Sequence, residues 1–430
     1  MASRCAVGSD ENPLEPMSAL LKQGAQQRTD AALQARSGAI PLGLLSVIAN
    51  RTYAEASLRR AANGVLAEFV ERPADENNAA AGTGETTCVL DATAAHTLVL
   101  LDGRLRSLLI GSCSSLVTTD AAFRDAVAAK DALQLQSTMT VGWDTSTDRP
   151  IVTEVSEEQA AALGEKAEQL TAVMAAARRE PHPTLSHFPN DFESAQPSLG
   201  LIDFAKTNAF VLWSDDRVLR RLAASMGVAT FGTIALLEVL LRDAKINREE
   251  HAASLATLVS NYYYDVAFSE DVYTLASQMD GLLAGGAAHG LSRPAIWSDP
   301  EATFGFVLAR LRVASASAPQ DVRTLCALAA TGLLAVAVGD AEGCAKNLSI
   351  LLSRCMRETW CSSAALPFVL AGIRDAMQGS SEAPLRDPLE TVLRAMHRLR
   401  WVSLEILVQR PSCSNSCLNA GPRTSRPLLA

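Results

Sequence analysis

LWSDDRVLRRLAASMGVATFGTIALLEVLLRDAKI, residues 212–246, decides the fold. An apolar run, Ala209–Trp213, stops at Ser214-Asp215-Asp216, and a helical pattern follows to Met226. Gly227 can end that helix in a left-handed cap. Val228–Phe231 is a second short apolar run. Gly232 permits a tight turn, and Thr233 can cap the long apolar helix after it. Short strands alternating with helices imply a mostly parallel sheet with helical crossovers.

The same alternation extends toward the N-terminus. TTCVL (86–90) ends at Asp91 and leads into ATAAHTLVLLDGRLRSLL, which reads as one helix. SSLVTT (114–119) is a further strand, followed by the helix DAAFRDAVAAKDALQLQ. Residues 137–156 are Thr/Val-rich around a turn and predict a hairpin. Helix composition runs over 157–179, a Pro-rich loop over 179–198, and a helix over LGLIDFAKTN (199–208). Downstream, a helix spans 248–261 and YYYDVAF (262–268) reads as extended.

The expected domains are a polar tail (1–40, helical around Met17–Ala35), a helical segment and linker (41–86), the α/β domain (87–275), an all-α domain (295–408) and a disordered tail (409–430). Within 41–72 the apolar spacing predicts two short helices, while 74–86 reads as loop and 281–294 as a Gly-rich linker.

Composition narrows the function. The chain has 430 residues, 48% hydrophobic and 20% charged, with a net charge of -9. That balance excludes a disordered chain and argues against a free-standing, non-specific nucleic-acid binder, though not against an enzyme with a local basic patch. The longest apolar run, Leu325–Val338, is 14 residues, shorter than a membrane span. No secretory signal is visible, and nine scattered cysteines form no paired CxxC knuckle. Reduced thiols in a cytoplasmic, membrane-free protein are expected.

Asp91, Asp215 and Asp216 all follow predicted strands. In a parallel sheet such positions converge on one edge, where ligands bind. Gathered carboxylates there repel unless a cation neutralises them, and hard oxygen ligands suit Mg²⁺ or Mn²⁺. The competing reading is structural, because Asp is a favoured N-cap and both Asp91 and Asp215 precede helices. No P-loop, dinucleotide glycine motif or nucleophile elbow appears.

The 212–246 stretch resembles the C-terminal half of a PIN domain, the VapC-type nuclease fold. The resemblance rests on Asp215-Asp216-Arg217, Arg221-Leu222-Ala223, Gly227-Val228 and Gly232-Thr233. CVLDATAAHTLVLL (88–101) is similar to that family's opening strand and first acid. The chain also looks like PIN modules of larger actinobacterial proteins with helical flanks. The resemblance implies a three-layer α/β/α domain over 87–275 and a metal-dependent ribonuclease. Asp91 matches the first acid. Asp125 matches the second, with Asp120 as competitor. Asp215 matches the later acid, with Asp216 beside it. Asp203 stands nearest the remaining position, closer to the strand than the usual spacing. Asp91, Asp125, Asp203, Asp215 and Asp216 are thus the implied metal ligands, with catalysis resting on Asp91, Asp125 and Asp215. Ser214 and Arg217 are candidate substrate contacts and RNA the implied substrate. The alternative is a catalytically degenerate scaffold or sensor that binds a protein partner through its C-terminal helices. Oligomerisation is left open.

Overall fold

A computed structural model of the chain describes residues 15–59, 73–134, 139–145, 148–188, 197–264, 266–280, 285–362, 364–379 and 387–394. The tail expected over 409–430 lies outside them.

Strands are numbered in chain order. β1 (Thr87–Leu90), β2 (Ser115–Thr119), β5 (Arg178–Glu180), β6 (Val211–Trp213) and β7 (Thr230–Phe231) form one sheet in the order β5-β2-β1-β6-β7. Every pairing in it is parallel, with Val89 opposite both Val117 and Leu212, and Trp213 opposite Phe231. Cys88, Val89, Leu90, Leu212 and Trp213 are fully buried, as a parallel sheet covered on both faces requires. The chain runs outward from β1 through β2 to β5, then returns to place β6 on the other side of β1. Strand order therefore reverses between β1 and β6, and a crevice forms there beyond the strands' carboxyl ends. Asp91 ends β1, and Ser214-Asp215-Asp216 ends β6. The fold sets them at that crevice. β3 (Met139–Asp144) and β4 (Arg149–Glu154) form a separate antiparallel hairpin, as the Thr/Val pattern predicts.

Several elements differ from the sequence reading. β5 is charged and half-exposed, without apolar alternation, and extends the sheet from what reads as the tail of a helix. The stretch from Ala92 splits into helices Ala92–Leu100 and Gly103–Gly111, because Asp102 caps the second by accepting from the Arg104 and Leu105 amides. The expected loop 74–86 is mostly the helix Pro73–Ala81, which packs on β7 and on the helix Thr233–Arg242. Residues 262–264 and 266–268 are irregular rather than extended, with Tyr262 in the left-handed region (φ 65°).

The expected linker is, in its described part, packed structure. The helix Gly286–Gly290 contributes buried Ala287 to the common core. The Leu291 carbonyl lies so close to Gly332 that any Cβ there would stand 2.0 Å from it. Beyond it run helices Pro300–Ser317, Pro319–Val336, Ala341–Arg357 and Leu366–Gln378. Gly372 lets the last of these cross Pro319–Val336 closely, against the Arg323 carbonyl. Among the described residues no helix is long and apolar enough to cross a membrane.

Candidate functional site at the β1–β6 crevice

Asp91 is fully buried and caps the helix Ala92–Leu100. Its Oδ2 accepts from the Thr93 amide (3.2 Å), the Thr93 hydroxyl, the Ser214 hydroxyl (2.8 Å) and the Tyr53 hydroxyl (3.0 Å). Its Oδ1 is buried with no hydrogen-bond partner. Burial pushes the carboxyl up to about 6; the Thr93, Ser214 and Tyr53 donors work against that rise, and the neighbouring Asp216 charge adds to it. Burial, then the charges of Asp91 and Asp216, hold the Tyr53 hydroxyl well above its ordinary range.

Asp215 does not cap the helix that follows it. Its carboxylate reaches across to the start of Thr233–Arg242 and accepts from the Thr233 amide (2.6 Å) and hydroxyl (2.8 Å). Tyr263 (3.1 Å) and Thr97 complete its donors. Thr233 in turn accepts from the indole of Trp213 (3.0 Å), which stacks on Phe231. Gly232 occupies the N-cap position of that helix, so the cap expected from Thr233 is supplied by Asp215.

Asp216 is the true cap of Arg217–Ser225, accepting at Oδ1 from the Val218 and Leu219 amides. Its Oδ2 accepts from the Leu42 amide at 2.8 Å, a contact spanning 174 residues of chain. Burial raises its carboxyl, and these amides and Arg220 only partly offset the rise. Asp125 faces the same N-terminal segment and accepts from the Tyr53 (3.1 Å) and Ala54 (2.7 Å) amides. Burial raises it as well, against those two donors. Asp203 belongs to a different cluster. It binds the His182 ring (2.8 Å), the His187 ring (3.1 Å) and the Ser186 and His187 amides. Burial pushes its carboxyl up, but these donors prevail and the net displacement is downward.

The structure thus brings Asp91 and Asp216 together around Ser214, whose hydroxyl donates to Asp91 and accepts from the Asp216 amide (3.1 Å). Asp215 adjoins them through Thr93, whose hydroxyl accepts its amide. Asp125 is linked to this group through Tyr53, which donates its amide to Asp125 and its hydroxyl to Asp91. Asp203 stands apart. Among the described residues no three His, Cys, Asp or Glu side chains close on one point that could hold a metal ion.

Ser214 is fully buried and committed to these bonds. The Arg217 guanidinium lies against Gly38, and Arg221 donates to the Gly38 carbonyl at 2.6 Å. Buried Arg220 ties the Ser214 carbonyl (2.8 Å) to Glu76 (3.3 Å). His96 contacts Ser57 at 3.3 Å. Sequence reasoning missed Tyr53, Leu42, Thr93, Thr97 and the two histidines on Asp203, and gave Thr233 a capping role rather than its bond to Asp215. Thr93 and Thr233 had a signal, lying just past strand ends at helix starts. The others meet the acids only through long-range packing.

A parallel α/β/α sheet with acids past the ends of β1 and β6 is consistent with a PIN-type domain. Residues 89–225 match the family model of a PIN domain associated with the TPR-GreAB-C-PIN system, so the chain carries a PIN domain over that stretch, with helices flanking it. The match spans just under a third of the chain. No curated protein and no solved structure matches it.

Proposed function

We propose that the chain is a metal-dependent ribonuclease of PIN type. The observation that carries this reading is the unpartnered Oδ1 of Asp91, a buried carboxylate oxygen at the strand-order reversal. Leaving such an atom without a partner is costly, and a hard cation is the partner it suits. Asp91 and Asp216 would hold that cation, with Asp125 and Asp215 bordering them. A bound Mg²⁺ or Mn²⁺ would supply an activated water and charge neutralisation for phosphodiester hydrolysis. The chain's own part is to orient the acids. Thr93 and Ser214 fix the Asp91 carboxylate, and Thr233 fixes Asp215. Arg217 and Arg221, on the helix next to the acids, would serve an RNA backbone in a chain of net charge -9.

In this reading 87–275 forms the catalytic domain and 295–408 a helical domain that binds a protein partner. The protein is cytoplasmic, in keeping with free cysteines among the described residues. Replacing Asp91 and Asp215 with Asn should abolish Mn²⁺-dependent RNA cleavage by the full chain. Cleavage that survives in the double variant refutes the assignment. The scaffold reading draws on Asp203 and Asp215, both saturated by protein donors; failure of the chain to bind Mn²⁺ at millimolar concentration would favour it.

A further inference from the structure

We propose that residues 38–58 are an autoinhibitory plug, seated on the acids of the crevice in place of cation and RNA. The inference rests on the nuclease reading. It is carried by where this segment's polar atoms go. The Leu42 amide is taken by Asp216, the Tyr53 and Ala54 amides by Asp125, and the Tyr53 hydroxyl by Asp91. The Gly38 carbonyl is taken by Arg221. The plug therefore offers donors to acids and an acceptor to an arginine, the polarity that a cation and a phosphodiester would offer together.

The segment is built to sit there. Leu42 and Tyr53 are the first residues of the short helices Leu42–Ile48 and Tyr53–Leu58, so their amides have no partner within the helix. Those orphan donors are the ones the acids accept. Leu42, Leu45, Tyr53, Ala54 and Leu58 are buried against the α/β core, whereas Leu44, Val47 and Ile48 on the outer side are exposed. The unpartnered Asp91 Oδ1 is the independent sign of an absent ligand, since the plug satisfies Oδ2 and leaves Oδ1 bare. Tyr53 stands between Asp91 and Asp125, and while it remains the two carboxylates cannot share an ion.

The test uses the full chain carrying Leu42→Pro and Tyr53→Phe. Proline is tolerated at a first helical position and removes the amide on Asp216. Phenylalanine removes only the hydroxyl on Asp91. Cation affinity is reduced by the fraction of molecules with the site open, so loosening the plug raises it. Mn²⁺ binding by calorimetry should tighten at least tenfold in the double variant. By reciprocity, Mn²⁺ added to the unaltered chain should speed amide exchange across 42–58. If both proteins bind Mn²⁺ equally and exchange across 42–58 ignores the ion, the plug is refuted while the cation site stands. If neither binds Mn²⁺ although exchange has risen in the variant, the cation reading has failed and the plug has nothing to exclude. Should the variant not fold, as judged by circular dichroism, exchange in the unaltered chain decides alone.

Discussion

Asp91→Asn should stabilise the metal-free protein, and by an amount that depends on pH. Burial lifts the Asp91 carboxyl from 3.8 to about 6 in the folded chain. Because the folded value lies above the unfolded one, the contribution to stability is full below pH 3.8 and is lost as pH rises through 6. Over that window the unfolded chain ionises freely while the fold resists. At about 1.4 kcal/mol for each tenfold change in proton affinity, the loss is about 3 kcal/mol. Asparagine keeps an acceptor for Thr93, Ser214 and Tyr53 and cannot ionise. Urea unfolding in the presence of a chelator, at pH 4, 6 and 7.5, measures the difference between variant and parent. Because the unfolded carboxyl is already partly ionised at pH 4, the variant's advantage should grow by about 2 kcal/mol of that total from the lowest pH to the highest. A difference that stays flat across the series would show that Asp91 carries no buried-charge penalty.

Thr233→Val strips a hydroxyl that serves both Asp215 and the Trp213 indole, and leaves that indole without its acceptor. A loss of about 2–3 kcal/mol is expected in chemical denaturation, with Thr233→Ser recovering most of it. Arg220→Met leaves Glu76 buried without its partner and should cost about 3–5 kcal/mol; adding Glu76→Gln should return part of that in a double-mutant cycle. Gly332→Ala drives a Cβ into the Leu291 carbonyl and should cost about 1–3 kcal/mol in the same assay, locating the 285–294 stretch in the cooperative core. Chelation should leave the melting temperature of the parent unchanged, since N–H and O–H donors hold the acids; a fall on adding EDTA would reveal a structural ion.

Much of the fold was legible because its signals are local. β1, β6 and β7 are short apolar runs punctuated by Asp or Gly, and covering both faces of a parallel sheet demands such runs. β5 was not legible, since Arg178-Arg179-Glu180 at a sheet edge carries no apolar alternation and continues a helical composition. The helix Pro73–Ala81 hid behind Asp, Asn and Gly in its surroundings, although Glu76 within it anchors Arg220. At the site, strand-end position found Asp91, Asp215 and Asp216, because topology alone carries strand ends to one crevice. It could not foresee that Asp203 would be claimed by His182 and His187, or Asp125 by a helix start 71 residues upstream. Tyr53 was invisible for the same reason: an aromatic in a helical segment reads as packing, and only the tertiary contact shows its hydroxyl on Asp91.

Capping and catalysis make competing claims on the same carboxylates, and lone pairs allow a decision between them. A carboxylate oxygen has room for about two strong donors, and Asp91 Oδ2 already meets four from Thr93, Ser214 and Tyr53 while Oδ1 meets none. Capping alone also places its donors on one oxygen, as at exposed Asp102, but the second oxygen of Asp91 is buried away from solvent. Crowding on one oxygen leaves the other buried without a donor, at the cost of an unsatisfied acceptor. Three of the four contacts on Oδ2 come from residues at the strand ends themselves, and those would remain if the N-terminal segment moved. The fourth, from Tyr53, arrives with the segment that also occupies Asp125 and Asp216. Withdrawing that segment would remove one donor from Asp91, one from Asp216 and two from Asp125, leaving three carboxylates with open lone pairs on one side of the sheet. Such a set is unfavourable without a cation and favourable with one. In the proposed reading the closed arrangement and a metal-bound one compete for the same carboxylates, and the balance between them is what the Leu42→Pro and Tyr53→Phe substitutions would shift.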